Sequence, residues 1–233
     1  MMPIYYGLDL TGWFLIIVAA IITIAADIYV NNSYRKYKKI ECKNKLSGCE
    51  IARKILDNNG LTDVHVVETT GILSDHYDPT RKVVRLSKEI FHGTSIASVA
   101  VASHEVGHAI QDRDKYLFIR FRSFLVPFVN FGSRFGYIIL LIGLIFGYID
   151  LAWGGIGLLL LILLFQLVTL PVEFNASSRA LIQLNKLAIL EKEEIDGANK
   201  MLKAAAYTYV AGLANTILQI LRLILVVSSR NDD

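Results

Sequence analysis

Ser103-His104-Glu105-Val106-Gly107-His108-Ala109 carries an HExxH spacing, and its reading decides what kind of fold this 233-residue chain builds. In a helix each residue turns by about 100°, so two imidazoles four apart lie one above the other on a single face. That arrangement grips a zinc ion, and Glu105 projects beside the pair, where it suits a base better than a ligand. The flanks agree with a helix. Thr94 and Ser95 offer N-caps, Ile96, Val99, Ala100, Val106 and Ile110 supply an apolar stripe, and Asp112 to Lys115 reads as a polar stop.

Around this motif the chain is 54% hydrophobic with a mean hydropathy of +0.46, which favours a small membrane protein over a soluble domain. The fold class expected is mainly α: a polytopic membrane protein with a small α+β zincin-like cytoplasmic catalytic domain. A net charge of +3 without any RNA- or DNA-binding signature argues against a nucleic-acid partner and leaves the lipid bilayer to account for the basic residues. Cys42 and Cys49 form no CxxC pair and read as free thiols of a reducing compartment.

Residues 5–30 read as an N-terminal transmembrane helix, long enough for a bilayer core of roughly 30 Å. Leu10 to Val30 is too long for a secretory h-region and has no basic flank before it, so it reads as a retained anchor. Tyr5, Tyr6 and Trp13 mark one interface and Tyr29 the other. Arg35, Lys36, Lys38, Lys39, Lys43 and Lys45 then place the following chain in the cytoplasm by the positive-inside rule. Residues 31–122 are the expected cytoplasmic catalytic segment. Within it a helix runs from Cys49 to Asn59 and stops at Gly60, Val64 to Glu68 forms a strand, and Ile72 to Tyr77 pairs with Lys82 to Leu86 around Asp78-Pro79-Thr80-Arg81.

Residues 123–172 read as a transmembrane hairpin, with a connector at Asp150-Leu151-Ala152-Trp153 and Arg134 snorkelling to the interface. Both its open ends face the cytoplasm, which returns Glu173 to the side of His104. Residues 173–205 follow as a cytoplasmic helical segment with Gly197 as a turn. Residues 206–227 are long enough to span, yet Asn215, Gln219 and Arg222 share one face, which fits either a packed fourth span or an interfacial helix. The protein is thus expected in the cell (inner) membrane, multi-pass, with its site facing the cytoplasm.

A hydrolytic zinc takes three protein ligands and keeps a position for water, so two histidines are incomplete. No HxxGxxH follows His108, which argues against the metzincin arrangement, and His65, His76 and His92 all lie upstream on strands or loops. Glu173, the acidic residue just past the hairpin, is the best third ligand, because zinc offsets the cost of desolvating a carboxylate at the end of an apolar span.

The HExxH helix, the two-span hairpin and Glu173-Phe174-Asn175-Ala176-Ser177 after Pro171 together resemble the YugP-like membrane zinc metallopeptidases. The plan is also similar to that of HtpX-like and CAAX prenyl protease-type gluzincins. The likeness covers nearly the whole chain, including Gly71 to Pro79. It implies a zinc metallopeptidase with one catalytic Zn2+ held by His104, His108 and Glu173, Glu105 as general base, and a protein or peptide substrate near the membrane. It also implies that Ser177, four positions after Glu173, and Asn175 support the ligands, at positions where relatives carry acidic residues. His76, Tyr77 and Arg179 are candidates for contact with the oxyanion or the substrate. Two other readings are open to test: a site-2-type intramembrane protease, and a catalytically inactive zinc-binding membrane scaffold.

Overall fold

The computed structural model describes residues 10–71 and 74–230; Tyr5, Tyr6, Ile72 and Leu73, on which expectations were placed, lie outside them. The elements in order are α1 (Leu10–Tyr37), α2 (Gly48–Asn58), β1 (His65–Thr69), β2 (His76–Asp78), β3 (Val83–Ser87), α3 (Lys88–His92), α4 (Ile96–Arg113), α5 (Leu117–Phe146), α6 (Ile149–Lys186) and α7 (Lys192–Ser229). Among the described residues four helices, α1, α5, α6 and α7, are long and apolar enough to cross a bilayer. The chain divides into two compact units. One comprises Ile28–Arg120 and Pro171–Tyr207; the other takes the chain up to Asp27, Phe121–Leu170 and the chain from Thr208.

In the first unit α2 starts with a capping box, in which Ser47 Oγ accepts from Glu50 N at 3.3 Å and Glu50 Oε2 accepts from Ser47 N at 2.7 Å. It ends at Asn59, and Gly60 follows with a left-handed φ of 71°. Its apolar face, Ile51, Ala52, Ile55 and Leu56, is fully buried against α4, each large side chain contributing about 1.5–3 kcal/mol. The sheet order is β1-β3-β2. β1 runs parallel to β3 with His65 opposite Val83, and β2 is an antiparallel edge strand with Tyr77 opposite Val84. Asp78 Oδ1 accepts from the backbone N–H of Thr80 and Arg81 and so pins the turn between β2 and β3. Cys42 is buried, Cys49 half-buried, and both are free thiols.

Two local expectations are corrected. Gly197 is no turn: it lies inside α7, where a Cβ would stand 3.0 Å from the Tyr37 ring and 3.2 Å from Ile96 Cδ1, so its smallness serves close packing. The break comes earlier, between α6 and α7, where Ala188 takes a left-handed φ of 46°. Glu194 Oε2 accepts from Glu191 N there and caps the new helix, while its Oε1 accepts from Lys43 N. The hairpin connector is not at residues 150–153, which already belong to α6. Gly147, with φ 78°, and Tyr148 make the turn.

In the second unit α5 and α6 approach through small residues, as membrane helices do. A Cβ on Gly143 would meet Ala152 N at 2.4 Å, and one on Gly155 would meet Leu140 N at 2.6 Å. The polar stripe of α7 turns toward neighbouring helices. Tyr137 Oη donates to Gln219 Oε1 at 3.2 Å, Gln219 Nε2 donates to Asn215 Oδ1 at 3.1 Å, and both sit with Arg222 on a cavity of about 510 Å³.

Candidate metal centre

α4 is built from the motif outward. Ser95 caps it, its Oγ accepting from Ser98 N at 3.2 Å, and nearly every residue from Ile96 to Ile110 outside the histidine face is buried. His104 and His108 sit one turn apart with ring centroids 4.8 Å from each other and planes at 87°. α6 crosses this face. Gly107 permits it: a Cβ there would lie 2.4 Å from the carbonyl oxygen of Ala176.

The crossing brings Glu173 onto the histidines. Its Oε2 lies 3.3 Å from His104 Nε2 and 3.7 Å from His108 Nε2, and the candidate ligand atoms of all three residues fall within 4.8 Å of one another. The Glu173 side chain is 4% exposed, those of His104 and His108 16% and 12%. Burial works against a charged imidazole at His108, but the Glu173 carboxylate beside it and the charge of Glu105 outweigh this and raise its pKa above the usual histidine value. A buried carboxylate facing two imidazole nitrogens is the donor set that fits a zinc ion, with both Nε2 atoms turned inward and both Nδ1 atoms bonded elsewhere.

The outward nitrogens have their own partners. His104 Nδ1 lies 3.1 Å from Ser177 Oγ, and His108 Nδ1 lies 3.0 Å from Gln111 Oε1. Gln111, completely buried, donates through Nε2 to the Val172 carbonyl at 2.8 Å and to Asn175 Oδ1 at 3.0 Å. Arg179 Nε also donates to Asn175 Oδ1, at 2.8 Å, and its Nη1 bonds Asp114 Oδ2 at 2.5 Å. Sequence reasoning missed Gln111. Its signal was the spacing, three residues past His108 on the same helix face.

Glu105 is 8% exposed, beside the pair. Of the three candidates for oxyanion or substrate contact, His76 is exposed on edge strand β2, its Nδ1–H donating to the Ser74 carbonyl at 2.8 Å. Tyr77 donates its hydroxyl proton to Asp112 Oδ2 at 2.9 Å, and burial together with that carboxylate pushes its pKa up. Arg179 braces α6 against the end of α4 through Asn175 and Asp114. Tyr77 thus spends its one donor hydrogen on a bond that an oxyanion contact would have to replace.

A family described as "Putative neutral zinc metallopeptidase" matches residues 12–228. The chain is also 43% identical over 220 residues to the "Putative membrane protease YugP" of Bacillus subtilis (strain 168), an alignment covering 94% of this chain and 98% of that protein. No solved structure matches it. Because the family match takes in nearly all of the four long apolar helices together with His104, His108 and Glu173, the chain belongs to this neutral zinc metallopeptidase family of YugP-like proteins.

Proposed function

We propose that this protein is a membrane-anchored zinc endopeptidase that hydrolyses peptide bonds in protein or peptide substrates at or near the bilayer. The observation carrying this reading is the convergence of His104 Nε2, His108 Nε2 and the buried Glu173 carboxylate within 4.8 Å. Zinc, when bound there, supplies Lewis acidity that lowers the pKa of a water to about 7. Glu105 is the group that takes the proton of the attacking water and delivers it to the leaving amine. Gln111 holds the Nδ1 side of His108 and so keeps its Nε2 lone pair inward, while Ser177 steadies the ring of His104.

We read Ile28–Arg120 and Pro171–Tyr207 as a zincin-like domain on the cytoplasmic face of the cell membrane. The basic run Arg35 to Lys45 directly after the apolar part of α1 supports that side. A site-2-type protease is disfavoured because α4 is not one of the long apolar helices and the acidic member of the cluster is a glutamate. A zinc scaffold is disfavoured by Glu105, since a purely structural site gains nothing from a base.

The purified protein is expected to bind one zinc, and Glu105→Gln to keep the metal while losing proteolysis of a denatured membrane protein. Full activity in that variant overturns the mechanism. Single cysteines at the exposed positions Lys88 and Glu193 are expected to react with an impermeant thiol reagent from the cytoplasmic side alone. Labelling from the opposite side reverses the topology.

A further inference from the structure

We infer that Gln111 is a positioning residue that decides which nitrogen of His108 carries the proton, and that the decision originates in the main-chain carbonyl of Val172, the residue before Glu173. The inference rests on the metal centre proposed above and concerns how this chain prepares it.

A glutamine amide can be turned end for end and an imidazole has two neutral tautomers, so the Gln111–His108 pair taken alone has no fixed polarity. Two neighbours remove that freedom. A backbone carbonyl can only accept, and a guanidinium can only donate. Arg179 Nε donates to Asn175 at 2.8 Å, which turns the Asn175 amide oxygen toward the point it shares with Gln111. Val172 O and Asn175 Oδ1 therefore both require a donor, and the Gln111 NH2 group, at 2.8 and 3.0 Å, provides one hydrogen to each. Its oxygen then has one direction left, toward His108.

An imidazole nitrogen 3.0 Å from an amide oxygen must carry the hydrogen. Nδ1 of His108 thus keeps its hydrogen, and once the imidazole is neutral its lone pair is on Nε2, the atom on the side of Glu173, 3.7 Å away, where the metal would sit. The opposite tautomer would set two acceptors against each other inside a side chain environment with no exposed surface at Gln111. α6 in this way does two things at adjacent residues. Glu173 enters the cluster with its carboxylate, and Val172 sets the tautomer of the histidine that Glu173 faces.

His104 is held differently. Its Nδ1 partner is the Ser177 hydroxyl at 3.1 Å, a rotor able to donate or to accept, which imposes no polarity. The directional support is confined to His108.

The test uses full-length protein in detergent micelles, zinc affinity from chelator competition, and nitrogen NMR of labelled histidine in the zinc-loaded state. In the wild type, zinc is expected on Nε2 of His108, with a slowly exchanging Nδ1–H. Gln111→Met, similar in length but without polar atoms, is expected to weaken zinc binding about 10–100-fold and to free that proton to exchange, with the His104 signals unchanged. A merely structural amide would lower the melting temperature and leave zinc affinity in place, which overturns the inference, as does zinc on Nδ1 of wild-type His108. The wild-type spectrum decides even where the variant does not fold. Wild-type protein that binds no zinc overturns the metal centre itself; wild-type affinity in Gln111→Met overturns only the role of Gln111.

Discussion

Gly107 and the carbonyl of Ala176 are so close that a Cβ on Gly107 would stand 2.4 Å from that oxygen. The glycine inside the HExxH run is thus what lets α6 lie against α4, with Glu173 reaching the histidines on one side of the contact and Ser177 on the other. Gly107→Ala must force two backbones apart, because the obstructing atom is main chain and no side chain can swing away. The expected cost is about 1–3 kcal/mol of stability together with weakened zinc binding. Thermal unfolding and metal content of the variant check this, and an unchanged value of both contradicts the close approach.

Glu173→Gln is expected to abolish peptidase activity and weaken zinc binding, since an amide is a poorer ligand than a carboxylate. The matched control is Glu193, exposed in the first turn of α7. The neighbouring Glu194 is unsuitable as a control despite its similar sequence setting, because it is buried and caps the backbone of Glu191 and Lys43. Stoichiometric zinc and normal turnover in Glu173→Gln would remove it from the ligand set.

Zinc affinity is expected to fall as pH is lowered, and to begin falling above the ordinary histidine value of 6.5. The metal takes the unprotonated Nε2, so below the raised pKa of His108 it must displace a proton to bind. The neighbouring carboxylates that raise this pKa are Glu173 and Glu105. Chelator competition across a pH series reads the effect directly. Affinity that stays flat down to pH 6 would mean that His108 is not a ligand.

Tyr77→Phe separates two roles for that hydroxyl. With its proton donated to Asp112 at 2.9 Å, the expected result is a loss of about 0.5–1.5 kcal/mol of stability and little change in kcat. A drop in kcat of about 100-fold or more with unchanged KM would instead assign Tyr77 to the oxyanion.

Local geometry made part of this legible in one dimension. The 3.6-residue repeat alone puts His104 and His108 on one face and Glu105 beside them, whatever the rest of the chain does. Length and apolar composition pick out the four membrane-capable helices of the described residues, and capping chemistry at Ser95 marks where α4 begins. Glu173 could be named by ligand count and topology, and the structure brings its carboxylate to both imidazoles.

Other features existed only once distant segments packed. Gly197 looks like a turn in sequence but is a clearance for the Tyr37 ring, while the true break at Ala188 depends on Glu194 reaching both Glu191 and Lys43. The parallel pairing of β1 with β3, which leaves β2 at the edge, is invisible to a hairpin pattern that links β2 and β3 alone. The bond from Gln111 to Val172 joins residues 61 positions apart. Periodicity and propensity encode neighbours along the chain, whereas hydrogen-bond polarity inside a buried cluster is settled by which fixed donors and acceptors the fold brings into reach.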